Sequence, residues 1–366
     1  MASYSVATGS VEARKIWSPL LDAETIPRTV ISKFFSETGA SVIHLHNDLE
    51  RESGDRIRTF LRGAPSATVA PVQAGVNLEG NEQSITNYEF DFLIDQEKYA
   101  VRIPFKNPSA QRVPYELKAQ AKAQSSEYWR QYLDTVAFHQ LCGATWANYL
   151  DLSGTGTTST VWNGHNTIAD YAAGRIVFPN TETTDDGLDS SGDTLTRDLI
   201  RKAVLQAKTN SPRLRTINVP GLGQDVFVMF VHPIQLRDLK DDTDFENIQL
   251  NLLAGGQVKD NLLITGAAGL VDGVLLVESE YVTYGVNSST GVPVTTVRRA
   301  VLCGQQALSC GFGRWDDSFS RFDWVEKTFN YEDEVGIASK VLFGMARTVY
   351  NDLDYGSICV PTYAVA

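Results

Sequence analysis

The stretch PYELKAQAKAQSSEYWRQYLDTVAFHQLCGATWANY, residues 114–149, decides the architecture. After Pro114 it holds no proline and one glycine, Gly143, and it is rich in Ala, Glu, Gln and Lys, which favour helix. Pro114 suits a first helical turn, where its missing N–H costs nothing. Trp129, Leu133, Ala137, Leu141 and Ala144 recur at spacings of three and four, so one apolar stripe follows a helix. Tyr128, Tyr132, Val136 and Phe138 widen the stripe, while Glu116, Lys118, Lys122, Glu127 and Arg130 take other faces. A helix of about 30 residues is roughly 45 Å long, beyond an ordinary globular helix. The rest of the chain must therefore pack along a rod.

Ahead of this stretch the side chains alternate twice. Ile57, Thr59 and Leu61 oppose Arg56, Arg58, Phe60 and Arg62; then, in a run from Tyr88 to Val101, Tyr88, Phe90, Phe92 and Ile94 oppose Glu89, Asp91, Leu93 and Asp95. Both are strand patterns, and the basic strand can face the acidic one across a hairpin. Gly63, Pro65, Pro71, Gly75 and Gly80 punctuate a long tip between them. A two-stranded ribbon is marginal alone, so it needs a surface to lie on, and a neighbouring copy is the simplest supplier. Residues 1–50 read as an arm with short helical pieces and a large anchor at Trp17. Unable to build a core, the arm lies along the body or across another subunit.

Beyond the helix, 152–192 is dominated by Ser, Thr, Gly, Asn and Asp and reads as irregular, tacked down by Trp162, Ile168, Ile176 and Phe178. A second helix is expected from near Thr194 to Lys208, turning Leu195, Leu199, Ala203 and Ala207 inward. Val226–Val231 is a buried strand, His232 and Pro233 open a short helix through Leu239, and Gly273–Val277 is another strand. Together these suggest a mixed α/β lobe over roughly residues 150–310. Glu334–Tyr350 and Tyr355–Thr362 return to strand patterning, joined by a turn at Asn351, Asp352 and Asp354, and are expected to lie together against the long helix.

At 366 residues and 43% apolar content, the chain can bury a core without staples. Its 32 basic against 44 acidic residues, net −12, argue against a groove that holds nucleic acid by neutralising phosphates. Enclosed nucleic acid stays compatible. Cys142, Cys303, Cys310 and Cys359 lack any paired short spacing, so free thiols in a reducing compartment are expected. No run of 18 apolar residues occurs, and neither secretion nor membrane insertion is expected.

Candidate chemistry is thin. His139 and Cys142 sit near one turn apart, but no oxyanion hole or third orienting group accompanies them. His44 and His46 share a side of any strand without a third metal ligand. Asp241, Asp242, Asp244 and Glu246 miss the calcium-loop spacing. The pairs Asp185–Asp186 and Asp316–Asp317 show no sign of the burial that would raise a pKa. Gly221 with Gly223, Gly255 with Gly256 and Gly311 with Gly313 lack the Lys-Ser/Thr of a P-loop and read as turns. No catalytic, cofactor-binding or metal site is expected.

A set of spaced motifs is more informative. It runs from Leu78–Glu82 (LEGNE) through Ile94-Asp95-Gln96 and Gln111-Arg112-Val113-Pro114 to the helix from Asp134 to Cys142-Gly143. Val231-His232-Pro233 then precedes Gln235 and Leu236-Arg237-Asp238-Leu239, and Gly273-Val274 leads to Glu278. Gly304-Gln305-Gln306-Ala307 and Asp354-Tyr355-Gly356 complete the order. Over nearly the whole chain the set resembles the major capsid proteins of tailed bacteriophages, in the group typified by the large-virion-polymerase podoviruses.

The resemblance implies an α+β, HK97-like major capsid fold. An N-terminal arm would occupy 1–53, an extended E-loop hairpin 54–104, and a peripheral domain with a long spine helix 105–150. The axial domain would follow at 151–325, with C-terminal peripheral strands at 326–366. It also implies a non-enzymatic protein without cofactors, assembled in the host cytoplasm into the pentamers and hexamers of an icosahedral shell that encloses double-stranded DNA. Portal and cement or decoration proteins would be further partners, and no membrane is involved. Nothing here supports carrying over the Lys–Asn crosslink of some relatives. On this reading Phe90, Phe92 and Ile94 are the apolar anchors between subunits, with Arg56, Arg58 and Arg62 as charged companions and Glu79 and Glu82 at the tip. Two other readings compete: a phage tail or decoration protein, and a glycan hydrolase with carboxylates about 5–10 Å apart.

Overall fold

The computed structural model describes residues 21, 24–37, 39–46, 55–63, 77, 79, 82–104, 116–145, 164–218, 225–242, 269–313, 321–331 and 333–365. Two 3-10 turns, Ile26–Arg28 and Ile31–Phe34, lead into β1 (Phe35–Ser36) and β2 (Ile43–His46). Next come β3 (Arg56–Arg62), β4 (Asn87–Leu93), β5 (Asp95–Pro104) and the long helix α1 (Leu117–Cys142). Then follow α2 (Arg197–Thr209), β6 (Ile217–Asn218), β7 (Asp225–Val231), α3 (Pro233–Lys240), β8 (Leu270–Val271), β9 (Val274–Glu278) and β10 (Tyr284–Val286). The order closes with β11 (Pro293–Cys303), β12 (Leu308–Phe312), β13 (Phe322–Phe329), β14 (Glu334–Arg347), β15 (Val349–Tyr350), β16 (Leu353–Asp354) and β17 (Ser357–Tyr363).

Helix α1 has 26 residues, about 39 Å. Gly143 stops it by adopting the left-handed conformation at φ 65°, which glycine enters without a Cβ clash. Ala144, expected in the apolar stripe, is therefore buried just past the helix, its N–H bonded to the His139 carbonyl. Pro114 lies outside the described residues.

Two sheets share this helix. The first runs β1-β2-β12-β14-β13, with β5 along the opposite edge of β14. The 14 residues of β14 alternate, sending Val335, Ile337, Ser339, Val341 and Phe343 inward. Trp129 and Tyr132 of α1 pack on that face, and the Trp129 indole N–H donates to the Ser339 hydroxyl at 2.7 Å. The second sheet runs β10-β11-β7-β9-β8, with β17 beside β11 and β6 beside β7. About two turns further along α1, Phe138 meets Phe230 of β7 edge-on at 5.3 Å. The far face of this sheet is covered by α2, whose Leu199, Ile200, Ala203 and Ala207 pack with Phe227, Met229, Leu302 and Ile358. Thr196, rather than Thr194, caps that helix, its hydroxyl accepting the Leu199 N–H at 3.4 Å.

Three strand expectations change. The run from Tyr88 to Val101 breaks at Ile94: β4 pairs with β3, whereas β5 pairs with β14 in the first sheet. The two C-terminal strands also part company, β14 lying on α1 while β17 joins the second sheet beside β11. The first six residues of β17 are all buried, with Ile176 bridged to Cys359, and a continuous apolar run suits such a strand. β12, expected in the middle lobe, lies between β2 and β14 of the first sheet. The turn at Asn351 and Asp352 does form, both residues left-handed (φ 51° and 57°), a conformation their short polar side chains tolerate.

Candidate assembly surface

β3 and β4 make a seven-residue antiparallel ribbon in which Ile57 faces Phe92, Arg58 faces Asp91 and Phe60 faces Glu89. Arg56 reaches Asp91 at 2.8 Å and Arg58 reaches Glu89 at 3.2 Å. These pairs are exposed, so each contributes under about 1 kcal/mol, enough to favour one register but not to hold the ribbon down.

What holds it down is the other side. Ile57, Phe92 and Ile94 cluster with Ala346, Leu342 and Phe90 at the end of β14. They sit on a shelf made by two glycines directly opposite each other in the first sheet, Gly311 of β12 and Gly344 of β14. A Cβ on Gly311 would stand 2.6 Å from Ile57 Cδ1 and 2.8 Å from Ile94 Cδ1, and one on Gly344 would overlap the Leu93 carbonyl oxygen. Gly311, read from sequence as a turn, is instead a strand residue whose missing side chain admits the ribbon. Asn166 pins the root by accepting the Leu93 N–H at 2.8 Å and donating to the Leu93 carbonyl at 2.9 Å. A cavity of about 330 Å³ remains beside it, lined by Arg56, Phe90, Leu93, Gln140, Asn166 and Arg347 among others.

This placement revises the expected contact set. Phe92 and Ile94 are 2% and 7% exposed inside the chain's own core, and Phe90 is half-buried against Tyr350. They meet the body of the same chain, not an open side. Arg56, Arg58 and Arg62 are exposed, as are Glu79 and Glu82. Among the described residues of the ribbon and its approach, the large apolar side chains left outside are Phe60, 68% exposed on the charged side, and Ile85, 74% exposed just before β4. Phe60 was legible as the one apolar residue among three arginines.

The described end of the arm lies along its own body. Lys122, Ser126 and Asp134, one and two helical turns apart on α1, meet it in order. Lys122 pairs with Glu24 at 2.8 Å, the Thr25 hydroxyl donates to Ser126 at 3.4 Å, and Asp134 accepts the N–H groups of Val30 and Ile31 at 3.1 and 3.3 Å. Burial pushes the Asp134 carboxyl up to about 6, against the pull of those two N–H groups and of Arg130. On the arm, Arg28 and Lys33 point to solvent. Undocked, Asp134 returns to about 3.9. The docked arm thus binds the proton more tightly, and this contribution, complete below about pH 4, is lost as pH rises through 6. Between about pH 7 and pH 5, opening of the arm is expected to fall about tenfold. Hydrogen exchange at Val30 and Ile31, corrected for intrinsic rate, measures it, and Asp134→Asn should flatten the dependence.

The remaining candidates that fall among the described residues have structural partners. His139 and Cys142 are fully buried; the Cys142 thiol, pushed up by burial, donates to the Arg299 carbonyl at 3.3 Å. The His44 and His46 rings lie 4.0 Å apart, tilted by 54°, and among the described residues no cluster of three ligands fit for a metal occurs. Asp185, expected in the open, is buried: it accepts from Arg299 Nε at 2.6 Å and the Val286 N–H at 2.7 Å, while Arg299 Nη1 donates to the Cys142 and Gly143 carbonyls that end α1. Asp186 takes Ser288. Asp242 accepts the Arg197 N–H, Asp241 caps α3, and Asp244, Glu246, Asp316, Asp317, Gly221, Gly223, Gly255 and Gly256 lie outside the described residues. Two motifs meet in space. The Gly304, Gln305 and Gln306 N–H groups bond the carbonyls of Gly356, Arg215 and Ser41, stitching the C-terminal segment, the middle lobe and the arm together. His232 and Gln235 form a reciprocal cap at α3, and Gln235 also donates to Thr362 at 2.6 Å.

A family model described as phage capsid protein matches residues 5–366. The major capsid protein of Pseudomonas phage KPP25 is 24% identical over 383 residues, covering 95% of this chain and 94% of the relative. The capsid of Ralstonia phage GP4 superimposes with a TM-score of 0.73 at 24% identity, covering 100% of this chain and 99% of that one. The Cyanophage Pam1 capsid asymmetric unit gives 0.70 at 21%, with the same coverage.

Proposed function

The chain belongs to the phage capsid protein family, and on that premise we propose that copies of it close into the pentamers and hexamers of an icosahedral shell around the double-stranded DNA of a tailed phage. It is a structural capsid protein, not an enzyme. In this reading α1 is the spine helix and the β3–β4 ribbon with its tip is the E-loop. Residues 1–53 form the arm, 105–150 and 326–366 the peripheral domain and 151–325 the axial domain, with β12 and β17 each lent across to the other sheet. The order of motifs supports the group typified by the large-virion-polymerase podoviruses, assembly in the host cytoplasm, and contacts with portal and cement or decoration proteins.

The observation that carries the reading is the ribbon's two-sidedness. Its inner side is consumed by its own body, while its outer side leaves Phe60 in water among Arg58, Arg62 and Glu89, with Ile85 exposed just before β4. An apolar anchor inside a charged rim does little for a lone monomer and suits a neighbouring copy. Head-to-tail repetition of such a contact closes a ring when the rotation allows. A net charge of −12 favours a wall that encloses DNA without gripping it. Deleting residues 63–87 is expected to preserve helical content by circular dichroism yet abolish closed shells by electron microscopy; normal shells would refute the assignment.

A further inference from the structure

We infer that the outward face of α2, with Leu205 at its centre, docks onto an acidic surface of a second copy of this chain, an inference that rests on the shell reading above. Between Arg197 and Arg215 the sequence holds six basic residues and one acidic residue, Asp198, in a chain that is otherwise the reverse. While Leu199, Ile200, Ala203 and Ala207 turn inward, Arg201, Leu205 and Lys208, four and three apart, form one exposed stripe with Lys202 beside it. The Leu214 N–H donates to the Ala207 carbonyl at 3.0 Å, bringing the following segment, with exposed Arg213 and Arg215, back against the last turn.

Among the described residues, half or more of the charges on this face have no acidic partner. Arg197 and Arg201 share Asp272, but among the described residues Lys202, Lys208, Arg213 and Arg215 make no ion pair. Like charges crowded on one helix face repel. In the midst of them Leu205 is 64% exposed. A phosphate backbone would satisfy the lysines and arginines and leave the leucine without a role. A folded acidic surface uses both, the leucine filling a dry centre and the cations forming the rim. Other copies supply that surface: setting these six apart from the 32 basic residues and Asp198 from the 44 acidic ones leaves the remainder more acidic than the whole.

The test uses the full chain in three forms: wild type, Lys202→Glu/Lys208→Glu, and Leu205→Asp. All three positions are exposed, so circular dichroism should be unchanged. Pairwise association is followed by sedimentation velocity, at low salt and at about 0.3 M, where exposed charges are screened, and shells are counted by electron microscopy. The expected result is salt-sensitive association of the wild type, weakened at least about tenfold in each variant, with shells lost in parallel. Variants that associate and assemble as the wild type does overturn the inference. So does a gel shift in which wild type binds a short DNA duplex, the charge-reversed variant does not, and both assemble alike. If wild type makes no shells at all, the shell reading fails, and the sedimentation comparison still decides whether this face pairs copies.

Discussion

Gly344→Val is expected to yield a folded chain that makes no closed shells. The added Cβ meets the carbonyl oxygen of Leu93, a backbone atom fixed from both sides by Asn166 and by the β4–β5 junction, so no rotamer relieves it. The root of the ribbon must lift, withdrawing Ile57, Phe92 and Ile94 from their cluster. Overpacking of this kind costs about 1–3 kcal/mol, and more where backbone has to move. Gly311→Ala is the internal control. Its Cβ meets side chains alone, the Cδ1 ends of Ile57 and Ile94, which can rotate away, and the Phe92 ring edge at 3.3 Å, so the loss should stay near 1 kcal/mol and shells should persist. Thermal unfolding and particle counts for the two variants separate the cases. Normal particles from Gly344→Val would show that the ribbon's seat does not govern assembly.

The second large effect is on stability. Asp185→Ala leaves the buried Arg299 guanidinium with the exposed Asp170 at 3.8 Å in place of its buried carboxylate, and removing one partner of a buried pair costs about 3–5 kcal/mol. Replacing both, as Asp185→Leu with Arg299→Met, removes the buried charge and should recover much of that loss. Recovery should stop about 1–2 kcal/mol short of wild type, because the Cys142 and Gly143 carbonyls lose their donor at the end of α1. Urea unfolding of the three chains measures it. A single substitution that costs no more than a surface change would mean the pair does not lock the helix end between the two sheets.

Much of the fold was readable because it is written locally. The stripe from Trp129 to Leu141 and the inward set Leu199, Ala203 and Ala207 each repeat a helical period within a few residues, and Val226–Val231 is a short apolar run of the length a buried strand needs. Alternation in Arg56–Arg62 and Tyr88–Asp95 announced the ribbon and its ion pairs. The misreadings were of another kind. Ile94 looks like one more alternating residue, and nothing nearby tells that the ladder changes partner there. Gly311 reads as a turn until Gly344, distant in sequence, is placed opposite. Asp185 reads as solvated because Arg299, which buries it, lies far along the chain.

By itself the sequence determined that a long amphipathic helix, a charged ribbon and an arm with no core of its own had to be gathered round a common body, since periodicity and charge act through neighbours a few residues apart. Only the tertiary structure decided which side of the ribbon the body consumes, which strand joins which sheet, and that Phe60 and Ile85, not Phe92 and Ile94, are left facing outward. Those choices depend on what lies opposite in space, here a pair of glycines whose missing side chains open the seat.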